Sequence, residues 1–158
     1  MSYGLATIFE PHEVGQEYAA DKLPLHLTII DSFETELSAV QLGQKLQELL
    51  AHQQSFTVTA LSDTMYGPDK NIPVTLLELT PELASLHNKV VTMLEAEGAT
   101  FKNPHFQKDR FSPHVTAQKD KRIHPGDQVV IGSICAAAKV APGDDANRSV
   151  VAKVAFNT

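Results

Sequence analysis

Short apolar and alternating runs along the 158-residue chain predict β-strands. Residues 56–61, for example, alternate apolar and polar side chains, the pattern of a strand with one buried face. Residues 142–145, Pro-Gly-Asp-Asp, predict a hairpin turn between the last two strands. The predicted strands cover residues 3–9, 25–30, 56–61, 74–79, 113–118, 129–138 and 149–156.

Two stretches with apolar residues at helical spacing predict amphipathic helices. The first covers residues 37–52. The second follows Thr80, a candidate N-cap, has Pro81 at its first position and ends near Gly98. The remaining polar stretches predict a loop or short helix at residues 10–22 and loops at residues 63–71 and 99–112.

The order of these elements predicts an α+β fold in which helices lie outside the sheets. A parallel α/β sheet is the alternative, but it needs more helices between strands than the pattern offers. No linker or low-complexity tract interrupts the chain, so we expect one domain over residues 1–158.

Composition narrows the class of protein. No apolar stretch approaches the roughly 18 residues of a membrane span, and residues 1–5 lack the basic and apolar regions of a signal peptide. The single cysteine, Cys135, lies in an apolar run, so we expect a buried, unreactive thiol and no internal disulfide. These features predict a cytoplasmic protein.

The charge distribution is uneven. The net charge of −6 argues against a dedicated binder of long nucleic acid. Residues 102–122 nevertheless hold six basic and only two acidic side chains, whereas the rest of the chain holds seven basic and 17 acidic ones. This basic segment is suited to a small anionic ligand, although a solvated loop is an equally good interpretation.

The dyad His26-x-Thr28 recurs 88 residues later as His114-x-Thr116. Both copies lie in a short β run with a proline just ahead of the histidine. Side chains at i and i+2 of a strand share one face, so each copy presents a histidine and a threonine opposite an apolar face. If the two strands are neighbours, the four polar side chains converge in one cleft.

Two histidines and two threonines suit phosphodiester chemistry. A neutral imidazole can take a proton from water while a protonated one gives a proton to the leaving oxygen. We assign His114 as base and His26 as acid, with Thr28 and Thr116 binding the phosphate. The two dyads are nearly symmetric, so the reverse assignment of base and acid fits the sequence equally well. This chemistry needs no metal or cofactor, and the other five histidines form no recognised metal-binding pattern. Among them, His87 is expected on the surface of the second helix.

Paired His-x-Thr dyads in a chain of this length resemble the 2H phosphoesterase superfamily, which includes 2′-5′ RNA ligase-like proteins and cyclic phosphodiesterases. The resemblance covers roughly residues 5–156 and follows the order of motifs in small bacterial members: the Met-Tyr-Gly-Pro of residues 65–68, the Ile-Pro-Val-Thr-Leu-Leu of residues 72–77, the helix from Pro81 and the second dyad. It implies a bilobed pair of antiparallel sheets with helices outside and a central groove. The resemblance also implies hydrolysis of 2′,3′-cyclic phosphates, 2′-5′ linkages or related nucleotide esters.

Candidate substrate contacts are less specific than the dyads. Tyr66 and Phe111 can stack on a base and Lys119 can neutralise phosphate, but packing or solvation explains each equally well. The second dyad is followed by Ala117, where the superfamily often has leucine or isoleucine; this position faces the core.

The sequence therefore predicts a monomeric, metal-independent phosphodiesterase whose partner is a nucleotide or an RNA with a terminal phosphodiester. One alternative is a non-catalytic nucleotide-binding module that uses the same cleft. Another is a phosphodiesterase for a signalling oligonucleotide or cyclic dinucleotide, with the same catalytic residues and different groove walls.

Overall fold

The computed structural model describes residues 1–158 as ten strands and two α-helices. Two short 3₁₀ turns lie between the sixth and seventh strands, at Pro104–Phe106 and Lys108–Arg110. In chain order the elements are β1 (Ser2–Ile8), β2 (Glu17–Ala19), β3 (His26–Glu34), α1 (Ala39–Leu49), β4 (Phe56–Tyr66), β5 (Ile72–Leu77), α2 (Pro81–Ala96), β6 (Thr100–Phe101), β7 (His114–Thr116), β8 (Gln128–Ile131), β9 (Ser133–Lys139) and β10 (Asn147–Ala155).

Every pair of neighbouring strands is antiparallel, and the strand order is β2-β10-β9-β1-β3-β7-β5-β4-β8. The short β6 pairs with β3 beyond β7, at Phe33 and Phe101. The α+β class is thus confirmed and the parallel alternative is excluded. The two predicted sheets meet edge to edge, because β3 and β7 are joined through one residue pair, Leu27 and Val115.

The helices begin at capped residues. Ser38 precedes α1, where its hydroxyl accepts the Gln41 N–H and the Gln41 side chain accepts the Ser38 N–H. The Thr80 hydroxyl accepts the Leu83 N–H, and Pro81 occupies the first turn of α2 as predicted. Neither helix is both long enough and apolar enough to cross a lipid bilayer.

A single apolar cluster connects both helices to the sheet. The side chains of Leu42 and Leu46 on α1 and of Leu86 on α2 are completely buried. Fully burying an aliphatic side chain of this size stabilises the fold by roughly 1.5–3 kcal/mol. Helix α1 also lies close to β10: a Cβ added at Gly43 would be only 3.3 Å from the Ala152 Cβ, so glycine allows this close approach.

Several boundaries differ from the sequence prediction. Strand β4 continues to Tyr66, so the predicted loop at residues 63–71 shrinks to a turn at 67–70. The predicted strand at 129–138 is two strands separated at Gly132, one paired with β4 and the other with β1. Strand β2 lies in a segment predicted as a loop or short helix, and β6 lies in a predicted loop, because a strand of two or three residues is too short to give a recognisable pattern.

We expect Leu27→Ala to lower the free energy of unfolding by about 2–5 kcal/mol, because Leu27 is 0 % exposed at the junction of the two halves. Leu61→Ala is the matched control, since Leu61 is 54 % exposed and its truncation should change stability by less than about 0.5 kcal/mol. Urea unfolding measures both values. Equal losses in the two variants would contradict the packing described here.

Candidate active site

Strands β3 and β7 place the two dyads on one face of the sheet. Leu27 pairs with Val115 in antiparallel register, and both side chains are buried in the core, at 0 % and 1 % exposure. The residues on either side of each must therefore face away from the core. The four dyad side chains are half-buried on that opposite face.

The antiparallel register also fixes which dyad residues are neighbours. Extending it by one residue sets His26 opposite Thr116 and Thr28 opposite His114. The four side chains form a square with the two histidines on one diagonal. Diagonal positions on neighbouring strands are about 7–8 Å apart. The register therefore makes the two histidines diagonal neighbours on one face of the sheet.

Each imidazole is held by the same kind of contact, a hydrogen bond to a backbone carbonyl. The Nδ1 atom of His26 is 2.8 Å from the Pro24 carbonyl oxygen, and Nδ1 of His114 is 2.9 Å from the Ser112 carbonyl oxygen. A carbonyl oxygen only accepts hydrogen bonds, so each Nδ1 carries a proton and donates it. This assignment leaves Nε2 of each ring as the atom available for proton transfer.

A proline lies near each histidine in the sequence, but the sequence alone does not predict this anchor. In both copies the accepting carbonyl belongs to the residue two positions before the histidine. Pro24 and Pro113 are both buried, which fixes the chain at the entrance to each dyad. Every residue has a backbone carbonyl, so a hydrogen bond to the carbonyl two positions earlier cannot be predicted from the pattern of side chains.

Tyr66 lies beside His114. The two ring centroids are 4.9 Å apart with the planes 71° from parallel, and the Tyr66 hydroxyl is 3.4 Å from the Ser112 hydroxyl. Tyr66 is half-buried, so part of its surface remains open to a ligand. Among the three candidate substrate contacts, this side chain is the one with a direct contact to a dyad residue.

The other two candidates have different surroundings. The Phe111 ring stacks on His87 with centroids 4.0 Å apart and planes within 2° of parallel, so one of its faces is already covered. Lys119 is exposed in the turn that follows β7 and forms no ion pair. It extends the basic segment near the end of the strand that carries His114.

The prediction for His87 is wrong. Instead of lying on the helix surface, His87 is 1 % exposed and hydrogen-bonded through both ring nitrogens, to the Ile29 carbonyl and the Lys108 N–H. His87 lies beside the apolar stripe of α2, and this part of the helix surface packs against the sheet. No three His, Cys, Asp or Glu side chains lie close enough to hold a metal ion.

Comparisons with known proteins identify the family of this chain. Residues 9–130, which include both dyads, match the family model described as the 2′-5′ RNA ligase superfamily. The chain belongs to this superfamily. No curated protein matches the sequence at a significant level.

Solved structures of the superfamily fold cover almost the whole chain. E. coli LigT complexed with NADP⁺ aligns with a TM-score of 0.58 and 21 % identity, over 99 % of this chain and 97 % of LigT. LigT complexed with 3′-AMP gives 0.55 and 21 %, over 99 % and 98 %. The Thermus thermophilus protein TT0787 gives 0.59 and 15 %, over 99 % and 98 %. At these identities the likeness establishes the 2H phosphoesterase fold.

Cys135 is not among the candidate site residues. Its predicted burial is confirmed at 1 % exposure, and burial raises the pKa of its thiol to about 11. At pH 8 the reactive thiolate is then about one molecule in a thousand.

We expect no modification of native protein by iodoacetamide at pH 8 and complete modification in urea, as measured by mass spectrometry. Rapid modification of the native thiol would show that its burial is wrong.

Proposed function

We propose that this protein is a metal-independent phosphodiesterase that hydrolyses a 2′,3′-cyclic phosphate or a 2′-5′ linkage in a nucleotide or at an RNA end. The observation that carries the proposal is the pair of identically anchored histidines. Both have Nδ1 occupied by a backbone carbonyl and Nε2 left for proton transfer. Membership of the 2′-5′ RNA ligase superfamily supports phosphodiester chemistry in general.

In the proposed reaction a water molecule attacks phosphorus as one phosphorus–oxygen bond to ribose breaks. Nε2 of His114 takes the proton that the water loses. Nε2 of protonated His26 gives its proton to the ribose oxygen that leaves, so charge and protons balance. For a cyclic phosphate the product is a phosphomonoester. The two histidines exchange roles in the reverse direction because the same groups then transfer the same protons back.

Thr28 and Thr116 occupy the other diagonal of the square. Each lies next to one histidine along its own strand and opposite the other histidine across the ladder. Their hydroxyls are placed to donate hydrogen bonds to the non-bridging phosphate oxygens as negative charge grows in the transition state. Hydroxyl donors stabilise that negative charge and do not repel a protonated histidine. An ammonium group at the same place would repel it.

Two kinds of observation support a nucleotide as the substrate: the ligands of LigT and the side chains beside the dyads. LigT has been solved with 3′-AMP and with NADP⁺, which supports a nucleotide as ligand for a chain of this fold. Tyr66 is the best placed side chain to contact the base or ribose, given its ring contact with His114. Lys119, exposed in the turn after β7, is a candidate source of positive charge for the phosphate, whereas the stacked Phe111 fits a supporting role better than base contact.

We expect His26→Ala and His114→Ala each to lower kcat by roughly 10²–10⁴-fold, because each removes one proton-transfer group. The assay is hydrolysis of a 2′,3′-cyclic mononucleotide in EDTA, with the 2′- and 3′-phosphate products resolved by chromatography. His52→Ala is the matched control, since His52 is exposed in the turn after α1 and should leave the rate unchanged. Wild-type rates in either dyad variant would refute the mechanism, and nucleotide binding without any turnover would favour a binding module.

Removing the threonine hydroxyls tests phosphate stabilisation separately. Thr28→Val and Thr116→Val preserve side-chain volume and should each lower kcat by roughly a hundredfold. Thr57→Val, at an exposed position of β4, is the control that should retain full activity. If steady-state kinetics give an unchanged kcat for both dyad variants, the hydroxyls do not act on the transition state.

A further inference from the structure

The proposed mechanism does not use the most buried histidine of the chain. The Nδ1 atom of His87 is 2.8 Å from the Ile29 carbonyl oxygen, and its Nε2 atom is 2.9 Å from the Lys108 backbone nitrogen. The first contact requires a proton on Nδ1 and the second requires a lone pair on Nε2. One neutral imidazole therefore connects β3 to the segment that leads into β7.

The β3 contact is made at an irregularity in the strand. Along β1, Ala6 faces Thr28 while the adjacent Leu5 faces Ile30, so Ile29 is an extra residue in the ladder. Such a β-bulge directly follows Thr28 and leaves Ile29 without a partner on β1. The imidazole of His87 satisfies the carbonyl of this extra residue. The bulge sets the direction of the strand that carries the first dyad.

The second contact is made just before the other dyad. Lys108 has a left-handed backbone, with φ of 58°, which a non-glycine residue adopts only when its surroundings stabilise it. Its N–H donates to His87, its carbonyl accepts the Phe111 N–H, and the Phe111 ring stacks on the imidazole. The next residue, Ser112, provides the carbonyl that anchors His114.

Burial, and not the nearby charges, favours the neutral imidazole. Burial lowers the pKa of His87, opposed by the hydrogen bond to Ile29 and the charge of Asp31. Asp31 accepts hydrogen bonds from Asn103 and Gln107 of the same segment. The Lys108 ammonium is turned toward Glu95 of α2, 3.0 Å away. The neutral imidazole is therefore the form that the folded protein favours, and protonation removes the acceptor for Lys108.

We infer that His87 is a positioning residue for the reaction: it fixes the bulge after Thr28 and the entrance to His114, and so keeps the two dyads in register. This inference rests on the proposed function for its effect on rate. A displacement of roughly 1 Å in a reacting group lowers rates by about a hundredfold, so a group that fixes both dyads should affect kcat more than binding.

His87→Phe tests the inference because it keeps the aromatic stack and removes both hydrogen bonds. We expect kcat to fall at least tenfold while KM stays within about twofold. His87→Gln retains an amide oxygen that can accept the Lys108 N–H, so it should recover part of the rate. It is also the second variant if the first does not fold. Val90→Ala is the control. Val90 is buried one turn along α2, so its truncation should lower stability but leave kcat unchanged.

A readout independent of turnover is the protonation pattern of the His114 ring, obtained from long-range ¹⁵N–¹H NMR spectra. Wild-type protein should show the proton fixed on Nδ1, and His87→Phe should show a mixture of both neutral forms. An unchanged His114 spectrum in a folded variant overturns the inference, whatever the rate. Absence of turnover in wild-type protein, with the spectral change present, refutes the proposed function and supports the positioning role.

Acid stability gives a third readout. The folded pKa of His87 lies below its ordinary value of 6.5, so unfolded chains bind more protons there. The stabilisation from the neutral ring is present above pH 6.5 and is lost as pH falls below it. His87→Gln should therefore lose less stability than wild type between pH 7 and pH 5 in urea unfolding. Equal losses would show that His87 is not held neutral.

Discussion

The antiparallel pairing of β3 with β7 is the contact on which the candidate site depends. It joins the two halves of the sheet and sets both dyads on the same face, because Leu27 and Val115 point together into the core. A slip of one residue in either strand would turn its histidine and threonine into the core and its apolar residues toward the solvent. The burial of two apolar side chains thus enforces the geometry of four polar ones.

Much of this arrangement is encoded locally and is readable from the sequence. The i, i+2 rule predicts that His26 and Thr28 share a face, and the repeat 88 residues later predicts a second such pair. The cap at Thr80 and the start of α2 at Pro81 are similarly local and are confirmed. The pairing of β3 with β7 is not local, and the sequence suggests it only because the dyad is repeated.

The parts that escaped prediction are those in which distant segments decide local structure. The polar end of β4 reads as a loop, and it is a strand because β5 pairs with it as far as Tyr66. Gly132 interrupts an apolar run, yet only the separate partners of β8 and β9 show that the run is two strands. His87 is buried because a bulge at Ile29 and a left-handed Lys108 present it with one acceptor and one donor. Each of these contacts joins distant segments, so the sequence of a single segment does not predict it.

The charges around the site favour a small ligand over a long polyanion. Three of the six basic residues in segment 102–122 are paired with carboxylates elsewhere: Lys108 with Glu95, Lys121 with Glu10 and Arg122 with Asp63. The net positive charge available to a ligand is therefore lower than the sequence suggests, and the rest of the surface is acidic. Long nucleic acid binds chiefly through many phosphate contacts with cations, which this surface does not provide. A terminal phosphodiester needs only the few hydrogen-bond donors that the two dyads supply, so the same electrostatics are compatible with action on a nucleotide or on the end of an RNA.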